Sequence, residues 1–84
     1  MHYVYVLQSK ADGHLYTGCT GDLRKRFQQH NDGKVPATQR RAPLDLIYYE
    51  ASLSIDDAFR REKYLKTSYG KRYLKSRLRG YFTG

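Results

Sequence analysis

The sequence is poor in the features that define several large protein classes. It has one cysteine, Cys19, so an internal disulfide framework is excluded. No run of apolar residues approaches the roughly 18 that a membrane-spanning helix needs, and the first residues lack the basic and apolar stretches of a secretory signal peptide. A reducing, cytoplasmic setting with no membrane role is therefore expected.

Metal-binding and nucleotide-binding signatures are also missing. The spacing of Cys19 and the three histidines matches no recognised zinc site. A single cysteine without a matched local signature does not predict a catalytic thiol. No glycine-rich phosphate loop is present, so nucleotide hydrolysis has no support and no small-molecule cofactor is expected.

Acidic residues are nearly absent from one part of the chain. The formal net charge is +8, yet residues 1–59 carry equal numbers of basic and acidic side chains. Residues 60–84 contain a single acid, Glu62, and nine bases, which are Arg60, Arg61, Lys63, Lys66, Lys71, Arg72, Lys75, Arg77 and Arg79. A one-sided basic segment with interleaved tyrosines is typical of a polyanion binder. A solvated basic helix face would produce the same pattern.

Alternating aromatic and β-branched residues predict three strands, over residues 3–7, 14–20 and 44–49. A turn at residues 11–13 makes the first two a hairpin. Gly18, near the end of the second strand, suggests a close backbone approach or a bulge. Residues 34–43 contain two prolines and are predicted to form a loop.

Capping and stop signals place the helices between and after these strands. A polar residue among 20–22 caps the first helix, which ends near Gly33. Ser54 opens a second helix, and Gly70 is predicted to separate it from a third. The order β-β-α-β-α-α predicts one α+β domain over residues 1–84, with a three-stranded antiparallel sheet covered by helices.

Five polar residues stand out within this scheme. Glu62 lies four residues after Ala58 and therefore on an apolar helix row, where a carboxylate needs a cation, a metal or a raised pKa. Arg26 and His30 are four apart and share one side of the first helix. Tyr5 and Tyr16 lie on hairpin-linked strands. Structural alternatives exist for each: an ion pair for Glu62, a core-edge histidine, a surface arginine, and tyrosines that only pack.

The ordered combination of these residues resembles the GIY-YIG nuclease family. That family has two tyrosine-containing triplets, an arginine on the next helix, a histidine one turn later and a glutamate on a later helix. The corresponding residues here are Tyr3-Val4-Tyr5, Tyr16-Thr17-Gly18, Arg26, His30 and Glu62. The resemblance covers essentially the whole chain. Within the family, the sequence is most similar to the small stand-alone bacterial members, which are grouped with the nuclease domain of the excinuclease C subunit.

The sequence departs from the family pattern at three places. Tyr3 replaces the glycine of the first triplet, and Thr17 replaces the isoleucine of the second. Many members carry a phosphate-binding asparagine near the end of the domain, whereas the only asparagine here is Asn31. That role is therefore vacant or is taken by another residue such as Ser68 or Lys71.

The resemblance implies a metal-dependent endonuclease that hydrolyses phosphodiesters of nucleic acid, with DNA favoured, in repair or recombination. Glu62 would be the protein ligand of one Mg²⁺ or Mn²⁺ ion, and Arg26 would hold the scissile phosphate. Tyr5 or Tyr16 would take the proton of the attacking water, and His30 would bond a tyrosine or assist proton transfer. Backbone contacts are expected from five further bases, Arg40, Arg41, Lys66, Lys71 and Arg72.

Two other functions remain open at this point. A non-catalytic nucleic-acid-binding module could keep the same fold and basic face; it would bind strongly without metal-dependent cutting. An accessory protein of a larger repair complex would instead bind nucleic acid feebly and a protein partner tightly.

Overall fold

The computed structural model describes all of residues 1–84. Its elements in chain order are β1 (His2–Ser9), β2 (Leu15–Thr20), α1 (Leu23–Asn31), β3 (Leu44–Ser52), α2 (Ile55–Leu65), α3 (Ser68–Arg77) and α4 (Arg79–Thr83). The strands form one antiparallel sheet in the order β2-β1-β3. The predicted fold class is confirmed, and the short helix α4 is an addition to it.

The central strand β1 explains why helices cover both faces of the sheet. Its four middle residues, 4–7, are all buried, and alternate side chains point to opposite faces. Val4 and Val6 pack in one cluster with three residues of α2 and α3, which are Ala58, Leu65 and Leu74. Tyr5 and Leu7 pack in a second cluster against α1 and the start of β3, with Leu23, Phe27 and Leu44. The outer strand β2 remains at the edge of the sheet.

Side-chain caps fix where the helices begin. Asp22 Oδ1 accepts a hydrogen bond from the backbone N–H of Lys25 at 3.1 Å, and Ser54 caps α2 in the same way. Gly33 follows α1 with φ of +74°, a conformation that glycine adopts without steric cost. The predicted start and stop signals of α1 and the predicted start of α2 are thus confirmed.

The predicted role of Gly70 is wrong. Gly70 lies inside α3, while Thr67 marks the helix boundary and its Oγ1 accepts from the Gly70 N–H at 3.1 Å. A β-carbon at Gly70 would overlap the backbone of Tyr64 and Leu65 at the end of α2. The glycine therefore permits a close approach of two helices and does not break one.

None of the four helices combines the length and the apolar character needed to cross a membrane.

Candidate active site

One open groove, with a volume of about 1220 Å³, runs across the edge strand β2. Because β2 is at the edge, the groove receives side chains from the α1 face of the sheet and from the α2–α3 face. All five residues singled out from the sequence line it, namely Tyr5, Tyr16, Arg26, His30 and Glu62. Lining the groove does not test the chemical roles predicted for these residues, and those roles stay predictions.

The two tyrosines reach the groove from adjacent strands. Tyr5 pairs with Gly18 across the β1–β2 ladder, and Tyr16 pairs with Leu7. A β-carbon at Gly18 would collide with the ring and hydroxyl of Tyr5. The close approach expected at Gly18 is therefore made by a side chain. Because Gly18 has no side chain, the Tyr5 ring can lie over the neighbouring strand.

A buried chain of hydrogen bonds links Tyr5 to the loop after α1. The Tyr5 hydroxyl is 2.9 Å from His30 Nε2, and His30 Nδ1 is 2.7 Å from Thr38 Oγ1. The relative exposure is 3% for Tyr5, 4% for His30 and 0% for Thr38. The Tyr5 and His30 rings meet edge to face, with centroids 5.6 Å apart. Sequence reasoning missed Thr38, because nothing in a loop threonine signals that it will meet a helix histidine.

The surroundings of His30 favour its neutral form. Burial lowers the pKa of His30 below its ordinary value, and the positive charge of Arg26 on the same helix lowers this pKa further. Arg26 has no acidic partner; the one hydrogen bond of its side chain, from Nη1 to Gln29 Oε1, is long at 3.4 Å. Its guanidinium is thus a positive charge available to an anion in the groove.

Glu62 enters the groove from α2 at the margin of the helix's buried side. Ala58 is fully buried, whereas the side chain of Glu62 is 21% exposed and its Oε2 lies 2.9 Å from Lys66 Nζ. The carboxylate therefore has a cation partner, as the ion-pair alternative requires. Its negative charge is felt across the groove, since burial and then Glu62 raise the pKa of the Cys19 thiol.

The donor set of the groove fits a sparsely coordinated Mg²⁺ ion and does not fit a closed metal site. No three His, Cys, Asp or Glu residues come together anywhere in the structure. Mg²⁺ commonly takes one or two carboxylates, keeps several waters and shares substrate phosphate oxygens. Lys66 contacts Oε2 of Glu62, and Oε1 remains for such an ion.

Some of the residues predicted to contact nucleic acid line the groove, and the others lie outside it. Lys66 and Lys71 line the groove, whereas Arg40, Arg41 and Arg72 do not. Arg41 Nη1 lies 3.3 Å from Asp12 Oδ2, and the Arg72 guanidinium lies 4.8 Å from the centre of the Tyr69 ring. The nucleic-acid contacts predicted for all five residues stay predictions.

The groove also contains two basic residues that the sequence reasoning did not select. Lys75 and Arg79 line it, and neither belongs to an ion pair. Arg79 begins α4, which was not predicted. Asn31 lies elsewhere: its amide donates to Leu44 O at 3.1 Å and accepts from Leu44 N at 2.8 Å. It therefore anchors the start of β3, and the family's phosphate-binding asparagine has no counterpart in the groove.

The fold and the groove together define a class of protein. A three-stranded antiparallel sheet supplies two tyrosines to one basic groove, and the helices packed on it supply an arginine, a histidine and a glutamate. This is the residue pattern noted above for GIY-YIG nucleases. Residues 1–82 match the family model described as the GIY-YIG catalytic domain. The chain belongs to this family, whose members are generally nucleases.

More specific relatives are small bacterial proteins named UPF0213. The chain is 45% identical to the UPF0213 protein of Bacillus pumilus over 67 residues, which is 79% of this chain and 67% of the relative. It is 39% identical over 75 residues to the UPF0213 protein of Staphylococcus saprophyticus, and this match covers 88% of this chain and 90% of the relative. The solution NMR structure of the UPF0213 protein from Bacillus halodurans is similar, with a TM-score of 0.56, 38% identity, and coverage of 89% of this chain and 82% of that chain.

Proposed function

We propose that the protein is a metal-dependent endonuclease that hydrolyses phosphodiester bonds in nucleic acid, with DNA as the substrate. One observation carries the proposal: the hydrogen-bonded Tyr5–His30 pair, the unpaired Arg26 and the carboxylate of Glu62 share a single basic groove. Phosphodiester hydrolysis needs an activated water and positive charge on the phosphate. The groove offers groups of both kinds within one site.

Arg26 is the residue best placed to bind the scissile phosphate. Its planar guanidinium presents several donors that match phosphate oxygens, and no acid in the structure neutralises it. Tyr5 or Tyr16 accepts the proton of the attacking water. This role requires the phenolate form, because a neutral phenol is not a base.

Glu62 is the proposed metal ligand. A bound Mg²⁺ or Mn²⁺ ion supplies positive charge that stabilises the negative charge developing on the phosphate oxygens. Lys66 Nζ lies 2.9 Å from Oε2 of Glu62. A phosphate in the groove offers Lys66 an alternative partner.

The basic residues along the α3 and α4 side of the groove bind the backbone on either side of the cut. Lys71, Lys75 and Arg79 line this side. Phosphate contacts of this kind position a strand and carry no sequence information. We therefore propose weak sequence preference. The likeness to the excinuclease C nuclease domain supports a role in DNA repair or recombination in the cytoplasm.

A non-catalytic binding module is the competing function. Two observations favour it: Glu62 is paired with Lys66, and no asparagine lines the groove. The same basic residues would then bind nucleic acid without cutting it. An accessory protein would lack even strong binding.

A cleavage and binding panel separates these functions. Labelled duplex, branched and single-stranded DNA and RNA are incubated with the protein in Mg²⁺, in Mn²⁺ and in EDTA, while affinity is measured by fluorescence anisotropy. Metal-dependent cutting of at least one substrate supports the nuclease. Tight, salt-sensitive binding without cutting across the panel would identify the binding module, and weak binding throughout would favour the accessory protein.

A further inference from the structure

Thr38 is buried at the end of the hydrogen-bond chain that starts at Tyr5. Its relative exposure is 0%, and its hydroxyl makes one hydrogen bond, to His30 Nδ1 at 2.7 Å. The surrounding loop holds it in place, since the Thr38 N–H donates to Val35 O at 3.1 Å and its carbonyl accepts from Arg41 N at 2.9 Å. The position is therefore built by the backbone and does not depend on the side-chain contact alone.

The direction of this hydrogen bond follows from the different exposure of the two residues that flank His30. Tyr5 lines the groove and keeps 3% exposure, where its hydroxyl hydrogen can reach water, whereas Thr38 has 0% exposure and needs an acceptor within the protein. A threonine hydroxyl has one hydrogen to donate, and a buried donor without an acceptor is unfavourable. The acceptor available to the Thr38 hydroxyl is His30 Nδ1. Nδ1 must then be the unprotonated nitrogen of a neutral imidazole, which places the ring hydrogen on Nε2.

The second ring nitrogen faces Tyr5. His30 Nε2 lies 2.9 Å from the Tyr5 hydroxyl oxygen. A protonated Nε2 donates to that oxygen and cannot accept the phenolic hydrogen. We infer that Thr38 is a positioning residue that locks His30 in the Nε2–H tautomer, so that His30 is a hydrogen-bond donor to Tyr5.

This tautomer defines the role of His30 toward Tyr5. It does not deprotonate Tyr5; the phenolic proton leaves to solvent in the groove, and the Nε2–H group then stabilises the phenolate left behind. The lowered pKa of His30 agrees with a neutral ring. The catalytic consequence rests on the proposed nuclease function, whereas the tautomer itself does not.

The tautomer can be measured without any activity. Long-range ¹H–¹⁵N NMR spectra of the intact protein at pH 7.5 report which nitrogen of His30 is protonated. We expect the signature of an unprotonated Nδ1 and a protonated Nε2. A protonated Nδ1 would overturn the inference, whether or not the protein cuts nucleic acid. This measurement on the wild type holds even if a variant fails to fold.

Two variants separate positioning from packing. Thr38→Val keeps the shape and removes the hydroxyl, so the His30 nitrogen shifts should move toward those of interchanging tautomers. Thr38→Ser should restore the wild-type pattern, because it keeps the donor. An unchanged pattern in folded Thr38→Val would contradict the inference.

Cleavage kinetics give a second readout on a substrate found by the panel. Thr38→Val should lower kcat on the order of tenfold with KM unchanged, since a positioned acid–base group contributes about a hundredfold or more. Thr38→Ser should cut at nearly the wild-type rate. Equal rates for Thr38→Val and wild type would refute the catalytic part. A wild type that cuts nothing would refute the proposed function, while the NMR spectra would still decide the tautomer.

Discussion

His30 fills space beside the core and uses both ring nitrogens in hydrogen bonds. At 4% exposure it is one of few buried polar side chains in the molecule. The sequence predicted that His30 lies at the core edge and near a tyrosine. It gave no signal for the hydrogen-bond partner of His30 Nδ1. That partner lies on a loop whose path depends on the whole fold.

The lowered pKa of His30 predicts a pH dependence of stability. In the unfolded chain His30 titrates near 6.5, and in the folded protein it titrates lower because of burial and Arg26. Well above pH 6.5 the ring is neutral in both states, and this contribution causes no loss of stability. As the pH falls below 6.5 the unfolded chain binds a proton that the folded protein resists, so the free energy of unfolding decreases.

Urea unfolding at pH 7.5 and pH 5.5 measures this loss. The wild type should be less stable at pH 5.5, and His30→Gln, which cannot titrate, should show a smaller difference between the two pH values. Equal differences in both proteins would contradict the assignment.

Adding a side chain at Gly18 is predicted to destabilise the protein, because the new atoms would collide with Tyr5. Gly18→Ala places a methyl group against the ring and hydroxyl of Tyr5, which must move and thereby strain its bond to His30. Overpacking of this kind costs about 1–3 kcal/mol. Gly21→Ala is the matched control, because no atom lies within 4 Å of its β-carbon. Urea midpoints that fall equally in the two variants would show that the contact has no effect.

At the scale of elements, local patterns predicted the sheet and three of the helices. Alternation in the strands and caps before α1 and α2 are short-range signals, and they agree with the tertiary packing. Helix α4 was missed because it has five residues and no side-chain cap. Gly70 was misread because a glycine that ends a helix and one that permits helix contact look alike in a sequence.

The corrected role of Gly70 gives a prediction at this scale. Gly70→Ala should destabilise the protein by about 3 kcal/mol, since its β-carbon meets backbone atoms of α2 that cannot rotate away. Gly80→Ala, in neighbouring α4, meets no atom within 4 Å and should be neutral or stabilise by up to about 1 kcal/mol. Comparable thermal midpoints for the two variants would contradict the packing role.

At the scale of the whole molecule, positive charge is concentrated on one side of the groove. Three of the bases in residues 60–84 are paired with acids: Arg60 with Asp57, Arg61 with Glu50, and Lys66 with Glu62. Lys71, Lys75 and Arg79 have no such partners and line the groove. The sequence predicted the basic segment, but only the fold shows which of its charges share a surface with Glu62.

This distribution predicts where salt-sensitive binding arises. Each phosphate contact contributes about 0.9 to the slope of log affinity against log salt on duplex DNA. The double variant Lys71→Ala with Lys75→Ala should lower that slope by roughly two. Lys25→Ala with Lys34→Ala removes the same charge outside the groove lining and should change the slope little. Anisotropy titrations at several salt concentrations that give equal slopes for the two double variants would contradict the groove assignment.

We propose that this groove cuts a phosphodiester with Glu62 as the metal ligand. Single-turnover cleavage in Mg²⁺ by wild type, Glu62→Gln and Asp57→Asn tests it most directly, since Asp57 is an exposed acid of the same helix outside the groove lining. We expect Glu62→Gln to abolish cleavage while nucleic-acid affinity stays nearly intact, and we expect Asp57→Asn to cut like wild type. Cleavage by Glu62→Gln at the wild-type rate would contradict it.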